Sequence, residues 1–168
     1  MSAITESTPL MFRTSIDIEA DVRGRIVDRL NLRLAEAIDL KARAKQAHWN
    51  VKGRDFFALH QLFDSLADHC EQHSDHIAER LTALGGVAKG TLPLVVQNSS
   101  LPDYDWMIHL GEQHIRALGM ALALFGSQLR GDLEFAEGLG DRASADLLSE
   151  IARQVDKDLW MLEAHIQS

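Results

Sequence analysis

The fold is decided by the stretch AHWNVKGRDFFALHQLFD, residues 47–64, which predicts the turn between two long antiparallel helices. Before it, over residues 17–49, apolar residues recur at the spacing of a single helix face. Residues 50–53 form a short connector, and Asp55 is a candidate N-cap for a second helix over residues 55–84. Helices joined by so short a connector pack side by side as a hairpin.

The rest of the chain predicts a second pair of helices after a long link. The pair Gly85-Gly86 ends the second helix, and the link occupies residues 87–103, with room for one short helix. We expect helix three over residues 104–129 and helix four over residues 144–166. The loop between them contains Gly131, Gly138 and Gly140. The predicted fold is all-α, a four-helix bundle with one long connection.

Composition restricts the class of protein. The 168 residues suffice for one domain, residues 18–168, preceded by a flexible polar tail, residues 1–17. The net charge of -8 argues against nucleic-acid binding through the body of the fold. A single cysteine, Cys70, excludes an internal disulfide and fits a reducing compartment. Without a signal peptide or a membrane span in the sequence, we expect a cytoplasmic protein with no membrane partner.

His60 shares one face of the second helix with five carboxylates. They are Asp64, Asp68, Glu71, Asp75 and Glu79. Such a face is often only a solvated acidic surface. However, like charges one turn apart destabilise a helix, and a bound cation would relieve that repulsion. Histidine with carboxylates suits iron, manganese or zinc, and the lack of thiolates disfavours soft metals.

The rise of the helix separates these residues into two half-sites. His60 and Asp64 are one turn apart, as are Asp75 and Glu79. Asp64 and Asp75 are eleven residues apart, about 16 Å along a helix, which ligand bonds of about 2 Å do not span. The halves therefore serve different ions, or another chain completes each. An antiparallel two-fold pairing of this helix would join them, and His48 would reach the same region.

The spacing of these residues resembles that of the Dps family of mini-ferritins. The pattern is His48-x11-His60-x3-Asp64-x10-Asp75-x3-Glu79, set in HWNVKG, FFALHQLFD and DHIAERLTALGG. The segment DKDLWMLEAHIQ, residues 156–167, is similar to the family's last helix, so the resemblance extends from about residue 18 to the end. Conventional ferritins place Glu-x-x-His motifs on their helices, and none of the eight histidines has a glutamate three residues before it.

The resemblance implies a ferritin-like subunit of a hollow homododecamer with ferroxidase centres at two-fold interfaces. His48 and His60 would be neutral imidazole ligands and Asp64 a ligand or a bridge to a second iron, all from one subunit. Asp75 and Glu79 would be charged ligands from its neighbour. The implied reaction is oxidation of Fe(II), preferentially by hydrogen peroxide, with storage of ferric oxide and protection against oxidative damage. Zinc or manganese would be the substitutes for iron.

Three further sets of residues have both a functional and a structural interpretation. Trp49 matches a family tryptophan that would intercept a stray oxidising equivalent, or it packs the end of the hairpin. Three acids match family positions that line three-fold iron-entry pores: Asp141, Asp146 and Glu150. The structural alternative is that acids favour the first turns of any helix. His69, His73 and His76 have a spacing that could bind zinc or a second iron. The structural alternative is an interface or a partly exposed polar stripe.

DNA binding is expected to be weak or absent at neutral pH. DNA-binding relatives often use tails rich in lysine or arginine, but residues 1–17 contain one basic residue, Arg13, beside Glu6 and Asp17. Two hypotheses of other classes stay open, a DNA-binding nucleoid protein with secondary iron chemistry and a helical scaffold without metal. Peroxide-dependent iron oxidation separates them from a ferroxidase.

Overall fold

Five α-helices account for most of residues 10–167, the part of the chain that the computed structural model describes. They are α1 (Ala20–Asn50), α2 (Phe56–Ala83), α3 (Leu92–Asn98), α4 (Gly111–Gly138) and α5 (Arg142–Glu163). Over these residues no strand is formed, and Lys52 and Leu110 make an isolated bridge. None of the helices in this range has the length and apolar character of a membrane span. The all-α prediction is confirmed.

α1 and α2 form the antiparallel hairpin that the opening stretch predicts. The Val51 N–H donates to the Ala47 carbonyl at 2.9 Å, where α1 ends. Gly53 then has a φ of 115°, a left-handed conformation that glycine adopts without steric cost. Asp55 occupies the N-cap position of α2, but its side chain makes no capping hydrogen bond. The turn therefore depends on backbone geometry more than on the predicted cap.

The hydrophobic core lies between the α1–α2 hairpin and a second hairpin of α4 and α5. Each long helix buries one apolar stripe, with Leu30, Phe63, Leu122 and Val155 among the fully or almost fully buried side chains. α3, in the long link, packs on α1 through Val95. The bundle with one long connection, including a short helix in the link, thus has the predicted order of elements.

The bounds of α4 differ from the predicted residues 104–129. The helix instead occupies Gly111–Gly138. Residues before it are held in irregular structure, where the Lys52 N–H donates to the His109 carbonyl at 2.8 Å. Gly131 lies inside the helix rather than in a loop, because glycine at an exposed helical position costs only about 1 kcal/mol. Burial of the flanking apolar stripe outweighs that cost.

The segment from residue 10 to residue 17 is attached to the bundle. The Phe12 N–H donates to the Gly85 carbonyl at 2.7 Å, and Met11 and Ile16 pack against the core. The expectation of a loose tail therefore does not describe residues 11–16, because these apolar side chains gain burial by docking. The first nine residues of the expected tail lie outside the described part of the chain.

Candidate metal centre

His48 and His60 face each other across the α1–α2 hairpin. Nδ1 of His48 lies 2.7 Å from the His60 carbonyl oxygen, and Nδ1 of His60 lies 2.8 Å from the His48 carbonyl oxygen. The two rings stack with centroids 3.7 Å apart and an angle of 21° between their planes. The hairpin therefore brings together the two predicted histidine ligands.

These reciprocal bonds determine the tautomer of both imidazoles. A carbonyl oxygen only accepts hydrogen bonds, so each Nδ1 carries a proton and donates it. In the tautomer that donates from Nδ1, the lone pair is on Nε2, the nitrogen that is free to bind a metal. Hydrogen bonds of this kind to a backbone carbonyl are the usual way in which proteins orient histidine ligands. Both His48 and His60 are therefore prepared as Nε2 ligands.

Asp64 lies one turn beyond His60 and binds a lysine of α1. Lys45 Nζ donates to Asp64 Oδ1 at 2.6 Å, and His48 Nδ1 lies 3.8 Å from the same oxygen. The hydrogen bond from Lys45 is the main reason that the pKa of Asp64 is lowered, so the carboxylate is ionised at neutral pH. A cation bound by Asp64 would compete with the Lys45 ammonium.

Lysines of α1 relieve only part of the repulsion on the acidic face of α2. Lys41 Nζ lies 2.6 Å from Glu71 Oε1, a second contact of the same type as that of Lys45. Asp75 and Glu79 are exposed and form no salt bridge within residues 10–167. This pair therefore keeps its negative charge uncompensated in the isolated chain.

Asp75 and Glu79 lie in the second half of α2, away from His60 and Asp64. The helix is continuous from Phe56 to Ala83, so the eleven residues between Asp64 and Asp75 correspond to about 16 Å. Over the described residues, no group of three His, Cys, Asp or Glu side chains is arranged to hold an ion. Within one chain, the predicted ligands therefore form two separated groups.

Exposed aromatic side chains surround the histidine half of the site. Trp49 is 62% exposed, and Lys45 Nζ lies 5.9 Å from the centroid of its ring. Phe56 is tilted against His60, with centroids 5.2 Å apart, and Phe57 is exposed beside it. Trp49 is therefore not buried by packing at the end of the hairpin within one chain.

The three histidines of the proposed second metal site line one groove between α2 and α5 but differ in burial and in partners. His69 Nδ1 lies 3.0 Å and 3.1 Å from the carboxylate oxygens of Asp158 on α5. His73 is buried, and its desolvation lowers the pKa to about 4, so the ring is neutral. His76 is exposed, and no metal-binding group of three includes it in the described part of the chain. The contact of His69 with α5 and the burial of His73 favour the structural interpretation for these two residues.

Asp141 is the N-cap of α5, and the prediction that it lines a pore is wrong. It is 1% exposed, and its carboxylate accepts hydrogen bonds from the Ser144 N–H at 3.0 Å and from Arg80 at 2.8 Å. Burial alone would raise the pKa of Asp141, but the hydrogen bonds from Ser144 and Arg80 outweigh it and the pKa is lowered. Asp146 and Glu150 are exposed one turn apart on α5, as a pore requires.

Residues 27–168 match the family of ferritin-like domains. The chain is also 36% identical over 155 residues to the DNA protection during starvation protein of Agrobacterium fabrum, an alignment that covers 92% of this chain and 96% of that protein. The chain belongs to the Dps family. The predicted resemblance is thereby confirmed.

Solved structures agree with membership of the Dps family. DpsA14 from Streptomyces coelicolor superimposes with a TM-score of 0.90 at 32% identity, covering 96% of both chains. Dps from Microbacterium arborescens, solved in a high iron form, has a TM-score of 0.80 at 29% identity and covers 88% of this chain and 96% of that one.

Of two contacts made by predicted site residues of this Dps chain, one was predictable from the sequence and the other was not. Lys45 is three residues before His48, and residues three apart share a helix face, so a lysine beside the centre was predictable. The Asp158 partner of His69 is 89 residues away and carries no local signal. Only the packing of α5 on α2 reveals it.

Proposed function

We propose that this Dps chain is a ferroxidase and iron store that oxidises Fe(II), preferentially with hydrogen peroxide, in a dodecameric cage. The observation that carries the proposal is the reciprocal bonding of His48 and His60, which leaves Nε2 of both rings free one turn from the ionised Asp64. The relative from Microbacterium arborescens in its high iron form supports iron as the metal. Zinc and manganese have no comparable support.

The ligands of the two half-sites would have different tasks. The imidazoles of His48 and His60 suit Fe(II), while the carboxylates of Asp64, Asp75 and Glu79 are hard, negative donors. Because oxidation adds one positive charge to the metal, negative ligands stabilise Fe(III) more than Fe(II). The carboxylates would therefore favour the loss of an electron, and the imidazoles would retain the metal before it is oxidised.

The reaction requires two electrons for each peroxide. Two Fe(II) ions lose one electron each, the O–O bond breaks, and two protons are taken up to give two waters. No hydroxyl radical is released when both electrons arrive together. Asp64, with two carboxylate oxygens, would hold one ion or bridge the pair. The exposed Trp49 would intercept an oxidising equivalent that escapes from the centre.

The second half of each centre would come from an antiparallel copy of α2. Beside Asp75 an open groove of about 730 Å³ runs between α1, α2 and the start of the long link. Leu92 and Val96 of α3 are 73% and 81% exposed, which provides apolar surface for a subunit contact. An isologous contact across this region would join both halves and form two equivalent centres.

Iron oxidation by the assembled protein tests the proposal directly. The growth of ferric absorbance after addition of hydrogen peroxide gives the rate. Glu79→Gln keeps the shape of the side chain and removes its charge, and the rate should fall at least about tenfold, as for the loss of metal-site residues generally. Asp68→Asn is the matched control, because Asp68 is exposed on the same helix and lies outside the ligand set.

The expected result is a parental rate for Asp68→Asn and a slow rate for Glu79→Gln and His60→Ala. Size-exclusion chromatography of each variant shows that the cage has formed. A parental rate no faster than that of iron and peroxide without protein, with Glu79→Gln and His60→Ala unchanged from the parent in cages of equal size, would refute the ferroxidase function.

Entry of iron and binding of DNA are two further parts of the proposal. Three copies of Asp146 and Glu150 would form a ring of carboxylates that attracts cations, and Asp146 borders a surface groove of about 660 Å³.

The net charge of -8 supports weak or no DNA binding at neutral pH and physiological salt. Tight retention of DNA by the purified oligomer in a gel-shift experiment would contradict the second part.

A further inference from the structure

Tyr104 and His114 form a hydrogen-bonded pair that packs against Phe63 of α2. The Tyr104 hydroxyl lies 2.5 Å from Nδ1 of His114, which is fully buried on α4. The ring of Phe63 lies edge-on to His114, with centroids 5.9 Å apart. Phe63 is the residue before Asp64 on α2. Packed aromatic rings therefore connect Tyr104 to the turn of α2 that holds Asp64.

The polar atoms of the pair indicate the direction of the hydrogen bond. Nε2 of His114 has no partner over residues 10–167, and the hydroxyl of Tyr104 has only Nδ1 there. If Nδ1 donated, the hydroxyl proton and the Nε2 lone pair would both be unpaired. If the hydroxyl donates, only the Nε2–H is left unpaired, so one polar group rather than two lacks a partner. The geometry therefore favours donation from Tyr104 to His114.

The protonation states of the pair suit the transfer of one proton. Burial raises the pKa of Tyr104 to about 12, so its hydroxyl is protonated at neutral pH. Burial lowers the pKa of His114, and the neutral imidazole keeps its capacity to accept a proton. A phenol that loses an electron becomes a strong acid, so oxidation is favourable only when the proton leaves at the same time. His114 would take that proton along the existing hydrogen bond.

We propose that Tyr104 is an internal one-electron donor to the centre, with His114 as the acceptor of its proton. The proposal rests on the ferroxidase function, which supplies hydrogen peroxide as the oxidant. A centre that holds a single Fe(II) provides only one of the two electrons that peroxide requires. Tyr104 provides the second, through the packed rings of His114 and Phe63.

The step balances in atoms and charge. The O–O bond of peroxide breaks to give two hydroxide ions, Fe(II) becomes Fe(III), Tyr104 becomes a neutral radical, and its proton converts His114 to imidazolium. The next Fe(II) to bind returns an electron to Tyr104, and the proton moves back from His114. The pair therefore prevents release of a hydroxyl radical from a half-filled centre. The exposed Trp49 has no such proton acceptor in the described part of the chain.

Tyr104 is the only tyrosine of the chain, so a tyrosyl radical has a single origin. The assembled protein is loaded with one Fe(II) per centre, mixed with one equivalent of hydrogen peroxide, and frozen within milliseconds for electron paramagnetic resonance. Stopped-flow absorbance follows Fe(III) in the same mixture. Tyr104→Phe is the test variant, and Trp106→Phe is the matched control, since Trp106 is 71% exposed and two residues away.

We expect a tyrosyl radical in the parent and in Trp106→Phe, and its loss in Tyr104→Phe. High-field spectra of the parent should show the g-value shift of a tyrosyl oxygen that is hydrogen-bonded to a cation, and formation of the radical should slow in D₂O. A merely structural pair would produce neither signature. His114→Asn keeps an acceptor without a base, and its radical yield should fall.

Two negative outcomes are distinguishable. If Fe(III) forms and the parent shows no tyrosyl radical, the electron-donor role of Tyr104 is overturned and the ferroxidase function stands. If no Fe(III) forms with one or with two Fe(II) per centre, the ferroxidase function fails and the role of Tyr104 falls with it.

Discussion

Mixed cages assembled from two inactive variants should recover about a quarter of the parental ferroxidase activity. Asp64→Asn disables the histidine half of the site, and Glu79→Gln disables the other half. Both substitutions preserve shape. The Asp64 side chain is 44% exposed and its pair with Lys45 is at the surface, where such pairs contribute little to stability. Folding and assembly should therefore be retained.

The magnitude follows from the separation of the two halves along α2. Because about 16 Å of helix lies between Asp64 and Asp75, each proposed centre would combine one half from each of two subunits. In a random equal mixture, half of the two-fold pairs contain one copy of each variant. Each mixed pair has one centre with both halves damaged and one with both halves intact. One centre in four is therefore complete.

The assay measures the initial rate of Fe(III) formation in cages that are dissociated, mixed and reassembled. Separately assembled cages of the two variants, mixed without dissociation, should show no recovery. A mixture of Asp64→Asn with the double variant Asp64→Asn, Glu79→Gln should also show none, since no pair of subunits then has an intact centre. A reassembled mixture no more active than its two components would refute the shared centre.

Four further predictions concern stability and iron entry. Asp141→Ala should lower the free energy of unfolding by about 2–4 kcal/mol, because it removes the N-cap of α5 and the partner of Arg80. Denaturant titration at one protomer concentration measures this free energy. The folded pKa of Asp141 is lowered from an unfolded value of about 3.9. The contribution of Asp141 to the free energy of unfolding is therefore present above about pH 4 and is lost as the pH falls through the folded pKa. Below about pH 4, the difference in stability between parent and variant should shrink. Leu122→Ala should cost about 2–5 kcal/mol in the same titration, since Leu122 is fully buried. Asp146→Asn should slow the uptake of Fe(II) in stopped-flow experiments and change stability by less than about 0.5 kcal/mol, since the side chain is exposed.

The α1–α2 hairpin was predictable because its signals are local. Helical periodicity, a short connector and the glycine pair that ends α2 are all visible within a few residues of the features they determine. The start of α4 was not predictable, since residues 104–110 carry no helix breaker. Their irregular structure depends on the bond between Lys52 and His109, which are far apart in the chain.

The candidate site was predictable to a similar extent. The positions of His60, Asp64, Asp75 and Glu79 follow from helix geometry on α2 alone, and so does their separation into two halves. The burial of Asp141 was not predictable, because it depends on Arg80, 61 residues away on another helix. An acid at a helix start is favoured both as a cap and in a pore, and only tertiary contacts distinguish the two.

The mutual bonds of His48 and His60 also affect how strongly the centre would hold a metal. A free histidine side chain loses rotational entropy when a ligand immobilises it, about 0.5–1.5 kcal/mol for each ordered side chain. Here the hairpin has already ordered both rings during folding. The affinity of the site thus depends on the backbone of the turn as well as on the ligands. Substitutions at Gly53, which touches no metal, should weaken binding by increasing the motion of the two imidazoles.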